Sequence, residues 1–230
     1  MECRSSATLT FQITCYILNQ DAVFLLRLLV LFSSTCINIC TESSNEVNTV
    51  MKAVILICGK ARSGKDLFAQ CLWSEMINDG QRPLILHYAD ILKYFCKQYL
   101  GWNGEKDEAG RTLLQHFGTE VVRNNSENCW VNIVKELVKG VHTEYDYVLI
   151  PDTRFPNETD WSDTEFEFRT IRVTRPNVDK NMQLTAEQQQ HASEIALDNF
   201  ITDVTIPNDK DVAHLGDMAT DLYFNYIKKI

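Results

Sequence analysis

The stretch Gly59-Lys60-Ala61-Arg62-Ser63-Gly64-Lys65-Asp66 follows the apolar run Ala53-Val54-Ile55-Leu56-Ile57-Cys58 without a break. Two glycines five apart with a lysine after the second fit a GxxxxGK phosphate-binding loop. Glycines let successive backbone N–H groups point inward at phosphate oxygens, and the lysine adds a mobile positive charge that can follow the terminal phosphate. Beyond the loop, Phe68, Leu72 and Met76 recur every fourth residue and Asp79-Gly80 supplies a stop, so the required helix is predicted. Asp66 occupies the position where a magnesium-binding Ser or Thr is usual, and Leu67 follows it. A carboxylate there can bind or orient magnesium; the bland alternative is a glycine turn between strand and helix with no nucleotide.

A chain of 230 residues with 45% apolar content can bury one sizeable core, and no internal repeat divides it. Its net charge of −9 argues against a coat for nucleic acid or a partner of anionic membranes, which are held by surplus Lys and Arg. Any polyanionic ligand must instead meet locally clustered cations. Of eight cysteines, Cys58, Cys71, Cys96 and Cys129 lie within apolar patterns and none has zinc-site or CxxC spacing, which points to a reducing, cytoplasmic setting.

Residues 1–50 read differently: few charges, Cys3, Cys15, Cys36 and Cys40, and an apolar run from Ala22 to Phe32 interrupted by Arg27. A membrane-crossing helix needs about 20 apolar residues, and a secretory signal wants its charges immediately before the apolar core. Met51 precedes the first strand, so residues 1–50 are expected to be a poorly ordered or dispensable extension, with a short interfacial anchor as the alternative. Residues 51–230 are expected to form the domain.

Within it, Pro83–Tyr88 reads as a buried parallel strand that places Asp90 at its carboxyl end, as helix cap or ligand contact. A half-buried helix follows with Ile91, Leu92, Phe95, Cys96, Tyr99 and Leu100 in its stripe. After a polar loop, a helical pattern runs from Arg111 to Arg123, with Leu113, Leu114, Phe117 and Val121 inward and Arg111 and Gln115 on the other face. Gly118-Thr119 interrupts it, marking a bend or a close approach. Ser126 is the expected cap of a helix that Gly140 closes. The strand Tyr145–Ile150 then leads into Pro151-Asp152-Thr153-Arg154, and an acid directly after an apolar strand is where phosphate-loop proteins orient magnesium. Phe166–Val173 and Phe200–Ile206 are further strands, the first bracketed by Arg172 and Arg175. Thr185 and Gln188, at capping-box spacing ahead of His191, suggest a polar helical excursion that closes over a nucleotide. Asp209 is the expected cap of a terminal helix with Val212, Leu215, Ala219, Leu222 and Tyr226 inward. Five strands separated by helices predict an α/β fold: a doubly wound, five-stranded parallel sheet with ligands at the strands' carboxyl ends.

Phosphoryl transfer needs cations on the acceptor side, and Arg111, Arg123 and Arg154, with Lys65, Arg62 and Arg175 nearer the donor, would supply them. No carboxylate is paired with a histidine as an obvious base. A phosphate acceptor requires none, because its second pKa is about 6 and it is mostly a dianion at neutral pH. A hydroxyl acceptor would instead make Asp152 or Asp90 the candidate base.

Six blocks, SGKD (Ser63–Asp66), YADILK (Tyr88–Lys93), DEAGRTLLQHFGTEVVR (Asp107–Arg123), VLIPDTRFPNE (Val148–Glu158), IRVTRP (Ile171–Pro176) and HASEIALD (His191–Asp198), together resemble the phage-type deoxynucleoside monophosphate kinases. The resemblance covers Met51 to the C-terminus. It implies a P-loop kinase fold with an acceptor-binding helical region and a lid, ATP and magnesium as donor pair, and a deoxynucleoside monophosphate as acceptor, with no direct nucleic-acid or membrane partner and with a homodimer possible. By this likeness Lys65 holds the donor phosphates, Arg111, Gln115 and Arg123 the acceptor, and Arg154 the transferring group, while Arg175 and His191 flank the lid. From their positions in the chain, Gly59, Lys60, Ala61, Ser63, Gly64, Asp66 and Arg175 are expected around ATP, Arg62 and Asp152 with Lys65 and Arg154 at the transfer step, Asp90 and Arg154 toward the acceptor, and Asp66 and Asp152 at the metal. Phosphomevalonate kinase, which shares the loop, the PDTRF-like and the HxSE-like segments, is the nearest rival. A nucleotide-binding module without turnover is the other.

Overall fold

The computed structural model describes residues 51–176 and 190–230. The expected extension, residues 1–50, and nearly all of the expected lid, including Thr185 and Gln188, lie outside the described residues. Among those described, strands β1 (Ala53–Cys58), β2 (Pro83–Ile85), β3 (Tyr147–Thr153), β4 (Phe168–Thr174) and β5 (Val204–Pro207) form one sheet in the order β2-β3-β1-β4-β5. Every pairing is parallel, with Ala53 opposite Tyr147 on one side of β1 and Val54 opposite Phe168 on the other. Parallel neighbours need crossovers, which helices α1 (Lys65–Asn78), α2 (Ala89–Tyr99), α3 (Glu108–Gln115), α4 (Cys129–Val141), α5 (Ala192–Ile195) and α6 (Val212–Asn225) help to supply.

The apolar run of β1 is explained by its central place: all six residues are buried, because both faces of the strand are covered. Successive side chains point to opposite faces. Ala53, Ile55 and Ile57 therefore meet Phe68, Leu72 and Met76 of α1 and Leu215, Ala219 and Tyr223 of α6. Val54 and Leu56 meet Val131, Val134 and Val138 of α4, together with Trp161. No helix among the described residues is long and apolar enough to cross a membrane.

Several boundaries differ from the sequence expectation. β2 stops at Ile85: the Leu86 N–H still reaches Leu149 O (3.0 Å), but the Tyr88 and Ala89 N–H groups turn to the two carboxylate oxygens of Asp152, each at 2.9 Å. Asp152 thus caps α2. Asp90 lies within the first turn and accepts the His87 N–H at 3.2 Å. α4 begins at Cys129 with no side-chain cap from Ser126, and runs past Gly140 to Val141. Asp211, not Asp209, caps α6 by accepting the His214 N–H at 2.9 Å. Tyr99 and Val212, expected inward, are exposed.

The interruption at Gly118 is a change of pitch. From His116 to Arg123 the chain continues α3 as a π-helix. The Gly118 carbonyl accepts the Trp130 indole N–H at 3.0 Å, and a Cβ on Gly118 would come within 2.7 Å of Leu92 Cδ2. A carbonyl taken sideways and a close neighbour are the circumstances in which a helix widens, often beside a functional site.

Two glycines should respond oppositely to alanine. Gly64 sits at φ +97° with its Cα against the Asn208 amide, so Gly64→Ala should lower the unfolding free energy by about 1 to 3 kcal/mol. Gly140 lies inside α4 with open space around it, so Gly140→Ala should raise it by up to about 1 kcal/mol. Urea unfolding midpoints of the two variants test both signs.

Candidate functional site: a cationic cleft at the phosphate loop

Where β1 ends, the chain turns into α1 through a loop whose backbone only glycine permits at both hinges. Gly59 has φ +146°, and a Cβ there would collide with the Val173 carbonyl of β4. Gly64 has φ +97° and is covered by Asn208, which follows β5. Arg62, at φ +62°, is the one non-glycine with positive φ among the described residues. Asn208 is buried and donates its amide N–H to Ser63 O at 2.8 Å, tying the loop to the far side of the sheet. Ser63 Oγ is buried with no protein partner, one residue before the N-cap of α1. That orphan and the glycine-bounded cradle fit an oxyanion ligand. Lys65 is 5% exposed and its Nζ rests on Lys60 O at 3.0 Å. Burial, aided by the nearby Arg154 charge, lowers its pKa to about 8.

From this loop a cleft of about 290 Å³ opens between α2, the α3 π-helical continuation and the end of β3. Lys65 and Arg154 line it together with Arg111, Gln115 and Arg123, so the three expected acceptor-side cations share one cavity with Lys65, whereas Arg62 and Arg175, expected nearer the donor, do not line it. Arg111 and Gln115 both line this cleft and are half-exposed. Arg123 pairs with Glu158 and lies 4.0 Å over the Phe155 ring. Glu158 is 2% exposed, and its other oxygen accepts the backbone N–H groups of Arg154 (2.6 Å) and Phe155 (3.0 Å). Burial pushes this carboxyl up to about 7 against the pull of Arg123 and those two donors. Arg154 Nη1 pairs with Glu194 and donates to Ser193 O at 3.2 Å.

The sequence reading missed several of these groups. His87 lay within a run read as strand, yet it lines the cleft between two carboxylates: Nδ1 is 3.2 Å from Asp90 and Nε2 is 3.5 Å from Asp66. Burial opposes its charge, but Asp66, Asp90 and Asp152 outweigh burial and raise the pKa to about 9. Lys93 and Lys106 also line the cavity. Glu158 and Glu194 lay unremarked inside quoted blocks, and nothing in the local pattern pointed to Asn208.

Other expected residues stand elsewhere. Asp90 is held by His87 and by Lys93 Nζ at 2.9 Å and does not line the cleft. Lys60 points away to Asp198 and to Glu194 O. Arg175 is exposed at the end of β4 and lines no part of the cavity, and His191 caps α5 through the Ser193 N–H at 3.2 Å. Arg172 is structural, donating to Leu197 O and Phe200 O at 2.7 Å each. Asp152 does line the cleft, although each of its oxygens already accepts one α2 N–H. Among the described residues no three His, Cys, Asp or Glu side chains are grouped to hold a metal. Magnesium does not need such a cage, since it binds through one or two carboxylates, substrate phosphates and water.

The imidazole makes a stability prediction. His87 titrates near 6.5 when unfolded and near 9 when folded, so its contribution is fully present below pH 6.5 and lost as pH rises through 9. The difference in unfolding free energy between the wild type and His87→Gln should therefore shrink across that window, as measured by urea titrations at a series of pH values. A constant difference would show that the imidazolium pairs contribute nothing.

Residues 86–218, more than half of the chain, match the family described as deoxynucleotide monophosphate kinase. The matched region starts after the phosphate loop, so the loop's assignment rests on its own geometry. No curated protein matches the chain. Among solved structures, a mutant of the Mycobacterium tuberculosis APS kinase CysC is similar at a TM-score of 0.41 and 12% identity, covering 76% of this chain and 99% of that one. The same enzyme in complex with AMPPNP and APS is similar at 0.41 and 13% identity, with the same coverage. With a phosphate loop at the head of a five-stranded parallel sheet and the match spanning the acceptor-side helices, the chain belongs to the deoxynucleotide monophosphate kinase family and is a kinase.

Proposed function

We propose that the protein transfers the γ-phosphoryl group of ATP to a deoxynucleoside monophosphate, giving the diphosphate. The observation that carries this reading is the shared cleft: Lys65 and Arg154 at the phosphate loop and Arg111 and Arg123 on the opposing wall line one cavity. Two phosphorylated molecules meeting there would bring several negative charges into a narrow space, and four fixed cations offset that repulsion.

The residues divide into roles. Backbone N–H groups of Gly59–Asp66 and the Lys65 ammonium would hold the donor phosphates. Arg111, Gln115 and Arg123 would bind the acceptor, with Glu158 and the Phe155 ring keeping the Arg123 guanidinium in one orientation. Arg154 would neutralise charge on the group in transit. The acceptor phosphate is itself the nucleophile, so catalysis reduces to alignment and charge compensation. Asp66 and Asp152 are the carboxylates that would orient magnesium, which when bound would neutralise phosphate charge. A cytoplasmic setting is supported by free cysteines Cys58, Cys71, Cys96 and Cys129.

An ADP-release assay with magnesium across the four common deoxynucleoside monophosphates and phosphomevalonate tests the reading. Turnover is expected with at least one deoxynucleotide and none with phosphomevalonate. Arg111→Ala should raise the acceptor KM by about tenfold or more, as loss of a charged phosphate contact does, and leave the ATP KM nearly unchanged. ATP binding without turnover on any acceptor would leave a binding module in place of an enzyme.

A further inference from the structure

The proposed reaction assigns no task to Glu194, yet this carboxylate touches both halves of the donor side. Its Oε2 accepts the Ala61 N–H of the phosphate loop at 3.1 Å, and its Oε1 pairs with Arg154. The side chain is 8% exposed. Around it α5 is fastened to the loop: Lys60 Nζ donates to Glu194 O at 2.7 Å and pairs with Asp198, while Ser193 O takes a second contact from Arg154. A carboxylate on an amide of an anion cradle stands where a phosphate oxygen would be accepted. Beside it are Lys65 and Arg154, two cations whose mutual repulsion it relieves.

We propose that Glu194 is a positioning residue of the transfer step: in the ligand-free protein it occupies the Ala61 N–H and pairs with Arg154, and on donor binding it yields the amide to the donor phosphates while its other oxygen keeps the Arg154 guanidinium. This rests on the donor-site reading given above. The arrangement has opposed consequences for binding and rate. The carboxylate competes with the nucleotide for the Ala61 amide, so it weakens donor affinity. It also keeps Arg154 in the orientation from which the transferring group is met, so it raises turnover.

Glu194→Gln keeps the shape and removes the charge. Its Kd for AMPPNP should tighten by about threefold to tenfold, the worth of a competing charge-assisted hydrogen bond, while kcat falls by about tenfold. In an Arg154→Met background the same change should no longer reduce the remaining kcat, because Glu194 acts through that arginine. A part that only supports the fold would weaken binding and rate together. Calorimetry with AMPPNP and steady-state kinetics separate these outcomes. Hydrogen exchange on the wild-type protein supplies a measurement that needs no variant to fold: amides of residues 192–195 should lose protection when AMPPNP binds. Weaker or unchanged AMPPNP binding in Glu194→Gln, an undiminished kcat, or increased protection of residues 192–195 would overturn the proposal alone. Failure of the wild type to bind AMPPNP would overturn the donor-site reading and this proposal with it.

Discussion

The packing of a bare backbone against the ends of two strands governs this molecule. Gly59 lies on the Val173 carbonyl of β4, and Gly64 lies under Asn208 beyond β5. Neither approach leaves room for a Cβ, and Asn208 closes the arrangement by bonding Ser63 O. The loop's inward-facing amides are therefore held by elements that follow it by more than a hundred residues. β1 can serve as their base because it is the middle strand, buried on both faces and paired on both edges. A loop hung from an edge strand would lack the second wall.

The strand order then determines what the loop confronts. β3 lies beside β1, so Asp152 and Arg154 emerge next to Lys65, while β4 and β5 bring the segment carrying Glu194 over the loop from the other side. The cleft's charges are arranged in pairs: Arg123 with Glu158, Arg154 with Glu194, His87 with Asp66 and Asp90, and Lys93 with Asp90. These pairs lower the cost of gathering cations in a partly dry cavity, since a buried unpaired charge is far costlier than a buried pair, while Lys65 and Arg111 donate to backbone carbonyls. The pairs differ in how they are held. Glu158 accepts two backbone N–H groups beside its pair with Arg123, whereas Glu194 sits on a four-residue helix and accepts one loop amide beside its pair with Arg154.

Much of this was legible in the chain because the signals were local. β1 and the face of α1 follow from an apolar run and a four-residue recurrence, and Lys65 follows from loop spacing. The errors came where a side chain serves a distant backbone. Asp90 looked like the cap of α2, but the cap is Asp152, 62 residues later, and the same contacts end β2 three residues early. Asp209 and Asp211 offer the same chemistry two residues apart, and helical register alone decides between them. Arg175, assigned to the nucleotide and lid by family likeness, is exposed just beyond β4. His87 was hidden by apolar neighbours, and Glu194 is distinguished from any surface glutamate only by the loop amide it reaches.

Asp66 shows how the neighbourhood can alter the meaning of a motif position. A carboxylate in place of the usual hydroxyl adds a negative charge at the head of α1, close to where donor phosphates would lie. The helix N-terminus favours it, and the bond from His87 is the main reason its pKa is lowered, with Lys65 and Lys106 contributing in the same direction. With the imidazole charged at neutral pH, Asp66 and His87 are close to neutral as a pair. Ser63 Oγ is buried without a protein partner, and the Asp66 carboxylate pairs with His87. The charge that Asp66 adds to the motif is met by a histidine two residues beyond the end of β2.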